Sequence, residues 1–167
     1  MAAAPTYEPI ETQTLSSNAT SVTFSSIPAT YTDLVLIIAG TRNTTSNTYL
    51  RVGAGSIDTG SNYSTTYIFG DGTTVASNRQ TSTTAILCDA DGNNPTVQAN
   101  WIIQIQNYSN ATTFKSTLCR RNNASSEAFA GVGLWRSTSA INTIRVYPSN
   151  GEFTVPAVFT LYGIKAA

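Results

Sequence analysis

"VQANWIIQIQNYS", residues 97–109, alternates with a period of two: Trp101, Ile103 and Ile105 share one face, while Ile102, Gln104 and Gln106 share the other. Successive side chains of a strand point to opposite faces, so this is the pattern of a half-buried β-strand. A helix would instead need apolar residues at i, i+3, i+4 and i+7, and no stretch of helical length has them. The same period recurs in "SVTFSSI" (21–27), "NTYLRVG" (47–53), "YSTTYIF" (63–69), "TSTTAILCD" (81–89), "TTFKSTLCRR" (112–121), "EAFAGVGLWR" (127–136) and "INTIRVYP" (141–148). "DLVLIIAG" (33–40) is near-continuously apolar, which in a strand means cover on both faces. "EFTVPAVFTLYGI" (152–164) closes the series. There Phe159, Leu161 and Gly163 alternate with Thr160, Tyr162 and Ile164, as in a strand set inside a sheet and paired with the N-terminal region.

Strands recurring about every 8–12 residues with turn signals between them predict an all-β chain. The expected architecture is an antiparallel β-sandwich or jelly roll of about eight to ten strands. "GDGTT" (70–74), "DADGNNP" (89–95) and "YPSNGEF" (147–153) carry the Asp-Gly and Asn-Gly pairs that accept positive φ. "NYSNATTF" (107–114) reads as a short hairpin turning at Asn110, and 41–62 as one strand flanked by long exposed loops. Residues 11–167 are expected to form a single sandwich domain, preceded by an extended arm over residues 1–10.

Composition narrows the function. Charged residues make up only 11% of the chain and the formal net charge is zero, against an average charged fraction near ~25%. No basic stripe offers the phosphate neutralisation on which nucleic-acid binding rests. No run approaches the roughly 20 apolar residues of a membrane helix. "MAAAPTYEPI" has neither a basic segment nor an apolar core of a signal peptide, so synthesis in the cytoplasm without ordinary export is expected. Ser, Thr and Asn form roughly a third of the residues. A near-neutral surface of hydroxyls and amides suits a subunit packed in an assembly, and suits many extracellular β domains as well.

The chain has no histidine, which removes the commonest general base, the Ser-His-Asp and Cys-His nucleophile systems, and most zinc sites. Asp58, Asp71, Asp89, Asp91, Glu127 and Glu152 lie in or beside turns without the spacing of a two-carboxylate hydrolase. A non-enzymatic protein with no catalytic residue, no bound metal and no cofactor is expected. Asp89, Asp91 and Asn93 begin like a calcium loop, but the sixth and twelfth positions are Asn94 and Asn100 rather than Gly and Glu. A tight turn with Asp91-Gly92 at its corner is the first reading and a weak surface calcium site the second. Cys88 and Cys119 lie in separate strands, either as small buried hydrophobes or as a cross-sheet disulfide if their Cα atoms approach within about 7 Å. Tyr49, Tyr63, Tyr67 and Trp135 either line a sugar-binding groove or belong to the core. Arg120 and Arg121 are expected on a solvated rim or at a subunit contact.

Three stretches resemble a known family. "ETQTLSSNATSVTFSSIPATYTDLVLIIAGTR" (11–42) resembles the opening of a β-sandwich domain of tailed-phage virion proteins, including those of cyanophages. "INTIRVYPSNGEFTVPAVFTLYGIK" (141–165) resembles the close of that domain, and "GSNYSTTYIFGDGT" (60–73) an element between them. The chain departs from the family at "TVPAV", where Pro156 is expected at an edge or bulge. The resemblance implies a structural role in the virion without catalysis. With one domain, no coiled coil and no fibre shaft, a capsid decoration (cement) protein on the outer head surface is the leading expectation. Its partners would be the major capsid protein and copies of itself, with neither nucleic acid nor membrane. Pro5, Tyr7, Pro9 and Ile10 of the arm, with Arg120 and Arg121, are the expected contact residues. The alternative is a tail-fibre or other tail-attached domain that recognises host-surface glycan.

Overall fold

In the computed structural model the described residues are 6–90 and 95–165, so Pro5, Asp91, Asn93 and Asn94 lie outside them. The period-2 segments become strands: β1 (Tyr7–Thr14), β2 (Val22–Phe24), β3 (Asp33–Gly40), β4 (Thr48–Ala54), β5 (Ser56–Ile57), β6 (Tyr63–Gly70), β7 (Val75–Thr83), β8 (Ile86–Leu87), β9 (Ala99–Ile105), β10 (Lys115–Asn123), β11 (Glu127–Trp135), β12 (Thr143–Pro148) and β13 (Val158–Ile164). Among the described residues there is no helix. Every strand pairing among them is antiparallel. One sheet has eight strands in the order β1-β13-β3-β9-β10-β11-β6-β7; the other runs β2-β12-β4-β5, with β8 also on β4. The fold is thus an all-β, antiparallel sandwich of unequal sheets.

The two sheets meet over one apolar core. Leu34, Leu36 and Ile38 of β3, Trp101, Ile103 and Ile105 of β9, and Phe159 and Leu161 of β13 project inward from the large sheet. Phe24, Leu50, Val52, Ile144 and Val146 meet them from the small one, and all of these side chains are buried. Each such side chain contributes about 1.5–3 kcal/mol by leaving water. β3 lies between β13 and β9, and the cover on both faces expected of its apolar run is partial: on the outer face Val35 is covered beside Tyr162 and Gln104. Ile37, two residues on, remains 36% exposed.

β13 is an interior strand held by β3 on one side and β1 on the other. The arm expected over residues 1–10 therefore gives way to a strand at Tyr7. Tyr7, Pro9 and Ile10 belong to β1, with Tyr7 opposite Ile164 and Pro9 opposite Tyr162. Proline is tolerated there because β1 is an edge, and the register shifts between Pro9 and Glu11. The end is fastened further by Lys165 N–H donating to Thr6 O (3.0 Å) and by Lys165 Nζ on Glu8 (2.6 Å). Gly163 is fixed by packing: a Cβ there would stand 2.2 Å from the Tyr31 ring. Pro156 sits in the turn before β13, after a cis Val155–Pro156 bond, rather than in a ladder.

Three loop expectations change. The strand read over 81–89 is split: β7 ends at Thr83, and the chain crosses to the small sheet as β8 past a positive φ at Ser82. The hairpin over 107–114 is a longer connection, in which the Asn110 side chain accepts from the N–H groups of Thr112 (2.7 Å) and Thr113 (2.9 Å). The loop before β4 is not uniformly exposed, since Arg42 and Ser46 are buried.

Candidate functional site

The inner face of β10 carries polar side chains. Pairing sets Cys119 opposite Ile103 and Arg121 opposite Trp101, so Lys115, Thr117, Cys119, Arg121 and Asn123 all point into the sandwich, and all are buried. Arg121 therefore leaves the rim where the sequence placed it and joins an internal cluster with Arg42, Asp89 and Glu127. Asp89, 0% exposed, accepts from Thr48 N–H (2.7 Å) through Oδ1. Its Oδ2 accepts from Arg42 Nη1 (2.9 Å) and Trp101 Nε1 (3.2 Å), with Arg121 Nε 3.6 Å away. Arg121 Nη1 donates to Glu127. The guanidinium groups of Arg42 and Arg121 stand 5.5 and 5.4 Å from the centre of the Trp101 ring. Two cations and two anions balance, which is the condition for keeping charge inside a protein. Burial pulls the Arg42 pKa below its ordinary value and Asp89 opposes that pull.

This cluster ties loops to the core and presents no reactive group to solvent. Both Asp89 oxygens already have donors, so its carboxylate cannot turn to a surface calcium ion without abandoning Arg42 or Thr48. Among the described residues no group of three or more His, Cys, Asp or Glu side chains is arranged to hold a metal ion.

The opposite face of the large sheet is apolar where β10, β11 and β6 meet. Inverting β10 places Leu118 outside, opposite Val132, while Ala130 lies between Arg120 and Ile68. Ile68 is 60% exposed, Val132 52% and Leu118 38%. The small Ala130 among larger neighbours leaves a shallow depression of about 500 Å³. Val75 of the edge strand β7 extends the same surface. Of the expected contact residues, Arg120 lines this depression, Arg121 is internal, and Tyr7, Pro9 and Ile10 are in β1.

A second concave surface lies between the small sheet and the end of β7, the edge strand of the large one. Tyr49 and Tyr147 stack with ring centres 5.7 Å apart, and the Arg51 guanidinium stands 4.9 Å from the Tyr147 ring. Tyr49 and Tyr147, with Gln80, Ser82 and Thr83, line a groove of about 520 Å³. The other aromatics weighed for such a groove are core: Tyr63 is buried with its hydroxyl donating to Val52 O, Tyr67 is buried, and Trp135 is buried with Nε1 donating to Asp58. Tyr147 was not singled out in the sequence, although the alternation of "INTIRVYP" places it on the same face as Arg145.

No protein-family model matches the chain, and no curated protein matches it. Among solved structures it is similar to CG-16, a homodimeric agglutinin from chicken liver, at 14% identity and a TM-score of 0.36. That alignment covers 83% of this chain and 98% of the agglutinin. The likeness is too distant to bear on what this chain does.

Proposed function

We propose that the protein is a non-enzymatic structural subunit of a tailed-phage particle, a decoration protein that docks on the outer head surface through the outer face of its large sheet. The partner is a low-charge, apolar surface of the major capsid protein or of another copy of this chain. The observation that carries this reading is the exposed apolar patch of Leu118 and Val132, paired across β10 and β11, with Ile68 diagonal to them on β6. Exposed apolar patches of this kind mark interaction surfaces. The resemblance of residues 11–42 and 141–165 to virion β-sandwich domains supports the choice of particle. Such a subunit acts by mass action: it binds the assembled lattice better than free shell subunits and so stabilises the shell.

The test is a paired substitution, Leu118→Glu with Val132→Glu. The two positions face each other across β10 and β11, on a surface where substitutions usually alter stability by less than about 0.5 kcal/mol each. Buried in an interface, two like charges cost several kcal/mol, so particle binding should fall roughly a hundredfold or more. The readout is occupancy of undecorated particles by a variant shown to be folded. Full occupancy would refute docking through this face. Deleting residues 2–10 is a poorer test, because it removes half of β1 along with any arm.

A tail-attached receptor-binding role is the second reading, favoured by the Tyr49–Tyr147 groove. Stacked aromatic rings present a flat apolar face suited to sugar C–H groups, and the rim supplies hydroxyls and an amide. Under that reading Tyr147→Ala abolishes glycan binding by the isolated protein and the Leu118/Val132 pair leaves it intact.

A further inference from the structure

We propose that Cys88 and Cys119 form a disulfide that staples the two sheets together when the chain folds under oxidising conditions. Their sulfur atoms are 3.1 Å apart, about 1 Å beyond the length of a disulfide bond. The two cysteines belong to different layers. Cys88 follows β8, and its N–H donates to Thr48 O (2.8 Å) at the start of β4, so it moves with the small sheet. Cys119 is in the middle of β10, between Ile103 and Gly131, and moves with the large sheet. A bond between them closes the chain across the core, with β9 inside the closed segment.

Both side chains are buried, Cys88 at 0% and Cys119 at 1% exposure. Burial raises the Cys88 pKa above that of an ordinary thiol, so in the folded protein Cys88 holds little of the thiolate that exchange requires. The oxidant is a low-molecular-weight disulfide. One cysteine thiolate attacks it, forming a mixed disulfide and expelling one small thiolate. The second cysteine then attacks the protein sulfur of that mixed disulfide and expels the second. Two electrons pass from the cysteine sulfurs to the small disulfide, and the two cysteine protons end on the two thiols released. A mixed disulfide has no room between closed sheets, so the exchange belongs to the folding chain. Once formed, the bond is shielded from reductant by the same burial.

The experiment refolds the chain in oxidised glutathione or in excess dithiothreitol, then denatures and alkylates each preparation and records its intact mass. The oxidised chain should be monomeric, lack two hydrogens and take up no alkyl group, while the reduced chain takes up two. Its thermal midpoint should lie higher by roughly 5–15 °C. Two alkylated thiols after oxidative refolding, glutathione adducts at both positions, or covalent dimers would overturn the proposal. Equal midpoints would overturn the staple. Cys119→Ala should abolish the difference between the two preparations; if that variant fails to fold, the wild-type masses decide alone.

Discussion

Asp89→Ala should cost about 3–5 kcal/mol of folding stability, the range found when one partner of a buried ion pair is removed. The substitution removes the acceptor for Arg42 Nη1, Trp101 Nε1 and Thr48 N–H at once. Among the described residues it leaves two buried guanidinium groups facing Glu127 alone, with a net positive charge where Arg42 and Arg121 are each only 2% exposed. Arg42 Nη2 already lacks an acceptor among the described residues. Urea unfolding followed by Trp fluorescence measures the effect directly, since Trp101 is part of the cluster. A loss below about 1 kcal/mol would mean that Asp89 is replaceable by water and that the cluster is not what fastens residues 42 and 89 to the core.

Truncation before Val158 should abolish cooperative folding. It removes Phe159 and Leu161, both 0% exposed, and each worth about 2–5 kcal/mol even as a single change to alanine. It also takes from β1 its partner and opens the flank of β3, because β13 lies between them. Those losses together exceed the roughly 5–15 kcal/mol that holds a domain of this kind. A truncated chain that is soluble and melts cooperatively would contradict the placement of β13 inside the sheet. Leu161→Ala is the milder form of the test, and should lower stability while preserving the fold.

The strands that the sequence makes plain are those with one face in the core and one outside. β9, β11 and β13 alternate because the two faces differ, whereas β3 carries apolar residues on both faces, with Val35 covered on the outer one and Ile37 partly exposed there. Edge strands carry no such signal. β7, "VASNRQTST", sees solvent on both faces and so has no hydropathy period, and β1 was masked by Pro9. β10 shows a period whose sense is reversed. Arg120 and Arg121 read together as a solvated rim or a subunit contact, yet the anions that make Arg121 acceptable inside, Asp89 and Glu127, come from separate parts of the chain. Their spacing carries no motif, so the internal cluster was invisible in the sequence. The apolar outer face carries no mark of its own either: charge singles out Arg120, and nothing in the sequence singles out its neighbours Leu118, Val132 and Ile68.

The most direct measurement of the proposed role is the copy number and position of this protein in purified phage particles, by quantitative mass spectrometry with low-resolution imaging. Decoration of the head predicts a copy number on the scale of the capsid lattice, with density on the outer shell that is lost in particles assembled with the Leu118→Glu/Val132→Glu variant. A few copies confined to the tail, or absence from the particle, would contradict it.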